Sequence, residues 1–239
     1  MNRTLAAAHT GCGESPDNTM ASFVEGVRSG ADIVEVDIVV ARDGTAILMH
    51  DDTPQLLLHT YEEWNQPHLR VLLNTAYEEH EIATLEQIFQ AAEPIGINLN
   101  LDIKSAASIE PTIALIRKYG AQERSYITGY SESITEKYPD IQVMLNTPVE
   151  LTPEQLDNYE SYAETTCQQA KQRGYTGLNM KGTTCRPYIV EAAHHRGLKV
   201  WVYTVNEQEL MQHFIEMNVD AITTREPETL LSLLGKTAL

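Results

Sequence analysis

The 239-residue chain contains few cysteines. Its three, Cys12, Cys167 and Cys185, are odd in number and far apart, so they do not suggest a disulfide framework, and they lack the paired spacing of a structural zinc site. Reduced thiols of this kind are typical of proteins in a reducing compartment. We therefore expect a cytoplasmic location.

Basic residues and long apolar runs are also scarce. Lysine and arginine number 17 against 34 aspartates and glutamates, which gives a formal net charge of −17. Nucleic acids and anionic membranes bind basic surfaces, and no segment approaches the roughly 20 apolar residues that span a bilayer. The composition predicts no nucleic-acid partner and no stable membrane association, and it leaves the oligomeric state open. An anionic ligand would need local positive charge, from a metal ion or from a few lysines and arginines.

Short apolar segments alternate with amphipathic stretches of helical length, which is the pattern of repeated βα units around a parallel sheet. The predicted strands are 4–9, 33–40, 46–50, 97–104, 125–130, 142–147, 177–181, 199–205 and 221–224. The predicted helices are 18–29, 84–93, 107–119, 154–173, 186–196, 207–217 and 227–234.

The number of strands favours a closed barrel. Counting 33–40 and 46–50 as one interrupted strand leaves eight, the number that closes a (β/α)8 barrel. The alternative, an open doubly wound sheet, is disfavoured because no glycine-rich dinucleotide motif follows the first strand. We predict an α/β protein, a single-domain TIM barrel over residues 1–239.

A long connection, residues 51–83, interrupts the βα pattern and has no clear hydrophobic periodicity. In a barrel, such an insertion would project over the C-terminal face, where active sites are built. It is either a lid or a solvated insertion without a role in the site.

Two acids alternate within an apolar strand. Segment 33–39 places Glu35 and Asp37 two residues apart, so both side chains point the same way. Burying two ionised acids side by side costs several kcal/mol, roughly, unless positive charge lies between them. The segment is therefore either a half-exposed strand with its acids in water or part of a metal site.

Segment 98–104 alternates between polar and aliphatic residues along its whole length. In an antiparallel sheet its polar face would meet water. In a barrel, the aliphatic face packs under the outer helices and the polar face lines the interior. Asp102 and Lys104 then lie at the C-terminal end of their strand, which is where functional residues of this fold are found.

Two histidines also end predicted strands, His9 after the first and His50 after 46–49. A single histidine in such a position is usually structural. Here both fall at the same predicted end of the barrel as the three acids and Lys104, and this coincidence favours a common site.

The chemistry of these six residues is consistent. Three carboxylates form a hard oxygen site, which favours Mg²⁺ or Ca²⁺ over zinc or copper. Two flanking histidines suit a general base and a general acid because their ordinary pKa lies near neutrality. Lys104 would place a point charge on an anionic ligand oxygen. Together these residues indicate phosphodiester cleavage.

The ordered motifs of the chain resemble those of the glycerophosphodiester phosphodiesterases. The matching segments are 8–11 (AHTG), 16–19 (PDNT), Phe23, 30–32 (GAD), 35–37 (EVD), 43–44 (DG), 50–51 (HD), 84–85 (TL), 102–104 (DIK), 200–206 (VWVYTVN) and 219–224 (VDAITT). Each segment alone is weak, but their order over nearly the whole chain is highly specific.

The resemblance implies roles for particular residues. His9 and His50 would be the acid/base pair, and Glu35, Asp37 and Asp102 would hold a divalent metal. For substrate binding, Lys104 would contact the phosphate and Tyr203 would form part of the pocket wall against the glycerol.

The resemblance also implies a reaction. A small-molecule glycerophosphodiester would be hydrolysed to sn-glycerol 3-phosphate and an alcohol. In the route proposed for the family, the glycerol 2-hydroxyl attacks phosphorus and water then opens the cyclic intermediate. A base in the first step that becomes the acid in the second explains the need for two histidines.

Four residues depart from the family pattern. Thr10 stands where an arginine usually follows the first histidine, Asp17 and Asp102 stand where glutamate is usual, and Tyr203 stands where tryptophan is usual. The arginine matters most, since its fork could hold a phosphate oxygen bidentately. Without it, the phosphate depends on the metal, on Lys104, and on Lys181 or backbone N–H groups near residues 11–13.

Two other classes of protein stay open from the sequence. A non-catalytic barrel that binds phosphorylated ligands is one, because of the missing arginine. Another metal-dependent hydrolase is the second, although that chemistry usually needs histidine metal ligands. At the far end of the chain, Arg225 is interpreted as an ion-pair partner of Glu226 at a helix start.

Overall fold

The computed structural model describes residues 4–236, so the outermost residues at each end of the predicted domain 1–239 lie outside this range. The strands are β1 (Leu5–Ala8), β2 (Ile33–Val40), β3 (Ala46–Leu48), β4 (Asn98–Ile103), β5 (Ser125–Gly129), β6 (Gln142–Asn146), β7 (Gly177–Lys181), β8 (Lys199–Tyr203) and β9 (Ala221–Thr224). Eight of them are parallel and pair in the circular order β1-β9-β8-β7-β6-β5-β4-β2, and pairing of β1 with β2 closes the ring. The prediction of a TIM barrel is confirmed.

Helices surround the ring and follow the strands, as the sequence pattern predicts. They are α1 (Met20–Arg28), α2 (Tyr61–Trp64), α3 (Pro67–Leu73), α4 (Leu85–Ala92), α5 (Ile109–Lys118), α6 (Ile134–Lys137), α7 (Pro153–Asp157), α8 (Tyr159–Gln172), α9 (Pro187–His195), α10 (Gln208–Glu216) and α11 (Pro227–Leu233). The predicted helix 154–173 is in fact two helices, α7 and α8, which Asn158 separates.

Local capping signals explain where several helices begin. Thr19 caps α1, since its side chain accepts a hydrogen bond from the Ser22 N–H. Thr84 and Gln87 form a reciprocal capping box at the start of α4. Each cap satisfies backbone N–H groups that have no partner within the helix.

One prediction about the strands is wrong. Segments 33–40 and 46–50 are not one interrupted strand, because β3 folds back and pairs with β2 in the antiparallel direction. The turn between them contains Gly44, whose φ of +78° is a conformation that glycine adopts without steric cost. The barrel count of eight holds because β3 lies beside β2 at the edge of the sheet and is not a member of the closed ring.

The alternation of β4 separates two environments, as predicted. Leu99, Leu101 and Ile103 are fully buried and pack under the outer helices with residues such as Phe89 and Ile116. Asn100 and Asp102, which point to the opposite face, line the interior of the barrel.

Apolar side chains fill the barrel below the C-terminal ends of the strands. Six inward residues, from six different strands, form one buried cluster: Ala7, Ile33, Tyr126, Met144, Trp201 and Ala221. The rings of Tyr126 and Trp201 lie 4.6 Å apart between centroids. Two residues further along each of these strands the inward residue is polar or aromatic and lines a cavity: His9, Glu35, Thr128, Asn146, Tyr203 and Thr223. Two residues along each strand, one pleat, therefore separate the apolar cluster, which forms the floor of the barrel, from the cavity above it, the polar chamber.

The insertion 51–83 folds into α2, α3 and two 3₁₀ turns, Pro54–Leu58 and Thr75–Glu78. It has its own small core, in which insertion side chains pack against the β2–β3 hairpin: Val39, Ala41, Ile47, Met49, Leu56, Trp64, Tyr77 and Ile82. Trp64 Nε1 donates to the Leu56 carbonyl at 3.0 Å, and the Tyr77 hydroxyl donates to the Leu48 carbonyl at 3.1 Å. The insertion is thus an ordered layer over the hairpin.

Within residues 4–236, no helix combines the length and the apolar character that crossing a bilayer requires.

We predict that Trp201→Ala destabilises the protein by about 3–5 kcal/mol, because it leaves a cavity in the floor of the barrel. Leu210→Ala is the matched control: Leu210 is 47% exposed, and its truncation is expected to change the free energy of unfolding by less than about 0.5 kcal/mol. Urea denaturation followed by circular dichroism measures both values. Equal effects of the two substitutions would contradict a tightly packed floor.

Candidate active site

The polar chamber at the C-terminal ends of the strands is a cavity of about 240 Å³. Its walls hold seven of the eight residues predicted at the site and several that sequence analysis did not assign to it. The lining residues are His9, Glu35, Asp37, His50, Asn100, Asp102, Lys104, Thr128, Asn146, Asn179, Tyr203, Thr204 and Thr223. Of the predicted residues, only Lys181, half-buried at the end of β7, is not part of this lining within the described chain.

Three carboxylates converge at the rim. One oxygen from each of Glu35, Asp37 and Asp102 lies within 4.8 Å of the others. The register explains this geometry, because Asp37 on β2 pairs directly with Asp102 on β4 and Glu35 lies one pleat below Asp37. Glu35 and Asp37 are 5% and 3% exposed, so the alternative of a half-exposed strand with its acids in water does not hold.

Lys104 partly neutralises this cluster. Its ammonium lies 2.5 Å from Asp37 Oδ1 and 2.6 Å from Asp102 Oδ2. Burial lowers the pKa of Lys104, but the charges of Asp102 and Asp37 outweigh burial and raise it above its ordinary value. The lysine is therefore charged at neutral pH, and three acids share one cation.

The negative charge that Lys104 does not neutralise affects the pKa values of the acids. Burial and the nearby charges of Asp37 and Asp102 raise the pKa of Glu35 well above its ordinary value. Burial also raises the pKa of Asp102, although Lys104 opposes the effect. Asp102 Oδ1 is buried and has no hydrogen-bond partner among residues 4–236. A set of oxygen donors with excess negative charge and an unpartnered oxygen fits a hard divalent cation.

The loop between β1 and α1 holds two of the acids. The Thr10 N–H donates to Glu35 Oε2 at 3.0 Å. Asn18 makes a reciprocal pair with Asp37, in which Asn18 Nδ2 donates to Asp37 Oδ2 at 2.8 Å and the Asp37 N–H donates to Asn18 Oδ1 at 3.0 Å. Asn18 has a φ of +61°, a conformation that asparagine tolerates better than most residues. In the sequence it stands within the matched segment 16–19 and has no assigned role there.

The two histidines lie in different surroundings. The side chain of His9 is 21% exposed, and its Nδ1 lies 2.5 Å from the Thr10 carbonyl. Burial lowers the pKa of His9, even though this carbonyl favours the charged form. His50 is 73% exposed at the mouth, and its Nδ1 lies 2.7 Å from Asp51 Oδ1. It reaches the cavity from the antiparallel β3 and not from the end of a parallel strand.

The rest of the cavity lining consists of amides, hydroxyls and one aromatic ring. Thr128 Oγ1 donates to Asn100 Oδ1 at 2.9 Å, and Asn179 Nδ2 donates to Asn146 Oδ1 at 3.0 Å. Tyr203 is half-buried beside them, and burial followed by the charge of Asp102 raises its pKa. These uncharged groups provide hydrogen-bonding partners for a hydroxylated ligand.

Arg225 does not have the partner expected from the sequence. Its guanidinium pairs with Asp17 through both terminal nitrogens, whereas the expected partner was Glu226. Asp17 lies more than 200 residues away in the chain, so no local sequence pattern could have indicated this contact.

Comparison with known proteins identifies the family. Residues 9–229 match the glycerophosphoryl diester phosphodiesterase family. The chain belongs to this family. The resemblance noted in its sequence motifs is thereby confirmed.

Individual members of the family are similar over their full length. The chain is 24% identical to a glycerophosphodiester phosphodiesterase of Caldanaerobacter subterraneus, with 98% of this chain and 99% of that protein aligned. A glycerophosphodiester phosphodiesterase structure from Parabacteroides distasonis has a TM-score of 0.79 at 22% identity, covering 98% of each chain. A phosphodiesterase from Oleispira antarctica, in complex with the product sn-glycerol-3-phosphate, has a TM-score of 0.78 at 19% identity and the same coverage. These structural likenesses support the family fold.

We predict that Gly129→Ala disturbs the acid cluster of this family member. Gly129 has a φ of +76°, and a Cβ there would lie 2.1 Å from Asp102 Oδ1 and 2.3 Å from the Ile103 carbonyl oxygen. We expect the substitution to weaken binding of a divalent cation and to lower the free energy of unfolding by more than the roughly 1–2 kcal/mol of left-handed strain alone. Calorimetric cation titration and urea denaturation measure the two effects.

Gly44→Ala is the control for backbone strain. Its φ is +78°, and a Cβ there would meet nothing within 4 Å. It should show the strain without loss of cation affinity. If the two variants behave alike, the close approach of Gly129 to Asp102 has no role in the site.

Proposed function

We propose that this protein hydrolyses small glycerophosphodiesters to sn-glycerol 3-phosphate and an alcohol, with Mg²⁺ or Ca²⁺ held by Glu35, Asp37 and Asp102. The observation that carries the proposal is the acid cluster between His9 and His50, inside one cavity of a family barrel. Bound there, the cation would polarise a phosphoryl oxygen and offset the charge that develops in the transition state.

His9 is the base of the first step in this proposal. A carbonyl can only accept a hydrogen bond, so the contact with Thr10 O places the proton of a neutral His9 on Nδ1. Nε2 is then free to accept the proton of the glycerol 2-hydroxyl as this oxygen attacks phosphorus. The half-buried position of His9 beside Glu35 suits a group that acts close to the reacting atoms.

His50 is the acid of the first step. It stands at the mouth of the cavity, where the departing alcohol leaves, and its Nδ1 contacts Asp51 Oδ1 at 2.7 Å. It gives its proton to the alcohol oxygen as the P–O bond breaks. In the second step the roles reverse: His50 takes a proton from the attacking water, and His9 returns its proton to the 2-oxygen as the cyclic phosphate opens.

Lys104 and Tyr203 complete the proposed substrate site. When a dication neutralises Asp37 and Asp102, the Lys104 ammonium that now bridges them is available to a phosphate oxygen. Tyr203 forms the wall against the glycerol moiety. We do not assign a role to Lys181, which is not part of the cavity lining.

We expect purified protein to release sn-glycerol 3-phosphate from glycerophosphocholine, glycerophosphoethanolamine or glycerophosphoglycerol in the presence of Mg²⁺ or Ca²⁺, as measured by phosphorus NMR. EDTA should abolish turnover. His9→Gln and His50→Gln should each lower kcat by about 10²–10⁴-fold with the fold intact, which is the usual contribution of general acid–base catalysis.

His195→Gln is the control, because His195 is exposed on α9, and it should retain full activity. Absence of turnover over the whole panel of diesters with both metals would contradict the proposal. Stabilisation of the protein by phosphorylated ligands without turnover would instead favour a non-catalytic binding protein.

A further inference from the structure

Arg225 links the end of the last barrel strand to the β1–α1 loop, beside the candidate site. It directly follows β9, and its Nη1 donates to the Gly11 carbonyl at 3.0 Å and to Asp17 Oδ1 at 3.0 Å, while Nη2 donates to Asp17 Oδ2. The arginine thus forms hydrogen bonds at both ends of the β1–α1 loop, which follows His9. Such a bidentate contact fixes direction as well as distance.

Arg225 contacts Gly11 and Asp17, and each of these is next in sequence to a residue that hydrogen-bonds an acid of the cluster. Gly11 follows Thr10, whose N–H donates to Glu35, and Asp17 precedes Asn18, which pairs twice with Asp37. The path from the guanidinium to each carboxylate therefore runs through two adjacent loop residues, with hydrogen bonds at both of its ends.

The β1–α1 loop is tightly packed, so a displacement at its contacts with Arg225 cannot be absorbed within the loop. Gly11 has a φ of +71°, and a Cβ there would lie 1.9 Å from Asp17 Oδ1 and 2.7 Å from Arg225 Nη1. The Asn18 N–H donates to Thr10 Oγ1 at 2.6 Å, and the Gly11 N–H donates to Ser22 Oγ at 2.5 Å. These contacts couple the two ends of the loop, so both ends should shift when the arginine is removed.

We propose that Arg225 is a positioning residue, which orients Glu35 and Asp37 toward the divalent cation through the β1–α1 loop. Position 10, where the family usually has an arginine, is threonine in this chain. In this chain the guanidinium that contacts the loop is that of Arg225, which lies near the other end of the sequence. The inference rests on the proposed cation site.

Calorimetric titration of the full chain with Mg²⁺ and with Ca²⁺ tests the proposal. Arg225→Gln should weaken cation binding by roughly 10–100-fold, the usual effect of losing a residue that orients a metal ligand. Arg225→Lys, which keeps the charge but not the fork, should give an intermediate loss and serves as the second variant if Arg225→Gln fails to fold. Exchange of the two residues, Asp17→Arg with Arg225→Asp, should recover part of the affinity that each single substitution loses.

Arg117→Gln is the matched control. Arg117 makes a similar bidentate pair with Asp140, at 3.1 and 2.7 Å, on α5 away from the cavity. This variant should keep the cation affinity of the wild type even where thermal stability falls.

Three outcomes would overturn the proposal. The first is a loss of thermal stability in Arg225→Gln with unchanged cation affinity, which would make the pair merely structural. The second is unchanged cation affinity with a raised KM, which would make Arg225 a direct substrate contact. The third is a wild type that binds neither cation. A wild type that binds the cation but turns over no diester would contradict the proposed function only. The cation titrations of the Arg225 variants would still decide this inference.

Discussion

The mutual repulsion of three buried acids is the constraint around which the site is organised. Glu35, Asp37 and Asp102 lie closer together than ionised carboxylates tolerate in a medium of low polarity. One ammonium, that of Lys104, cannot neutralise all three. The raised pKa values of Glu35 and Asp102 express this imbalance, and a dication is the simplest group that relieves it.

A rigid frame is needed to keep such groups together. Two kinds of structure provide it: the parallel register of β2 and β4 sets the spacing of the acids, and the β1–α1 loop sets their orientation through Thr10 and Asn18. The strands are held by continuous backbone hydrogen bonds and by the apolar floor beneath them. The loop is held by side chains from distant parts of the chain. The site is therefore as much a property of the closure of the barrel as of any single motif.

The alternation in β2 and β4 explains why much of this could be predicted from sequence. Inward and outward faces follow directly from the two-residue period of a strand, so the acids, Lys104 and the aliphatic outer face were all predictable. The direction of β3 was not, because a strand of three residues carries no signal for parallel or antiparallel pairing. The partner of Arg225 was missed because this contact exists only once β9 pairs with β1 and closes the ring. The role of Asn18 was missed because it depends on how the β1–α1 loop folds over β2.

The two histidines belong to parts of the protein that are stabilised independently. His9 directly follows a strand of the barrel, whereas His50 follows the hairpin strand that packs with the insertion and its separate core of Leu56, Trp64 and Tyr77. Regions with their own small core can open at a lower free energy than the protein as a whole. Transient opening of the hairpin layer would remove one imidazole from the mouth while the three acids stay in place. Ligand retention and turnover can therefore respond differently to temperature or denaturant in one and the same molecule.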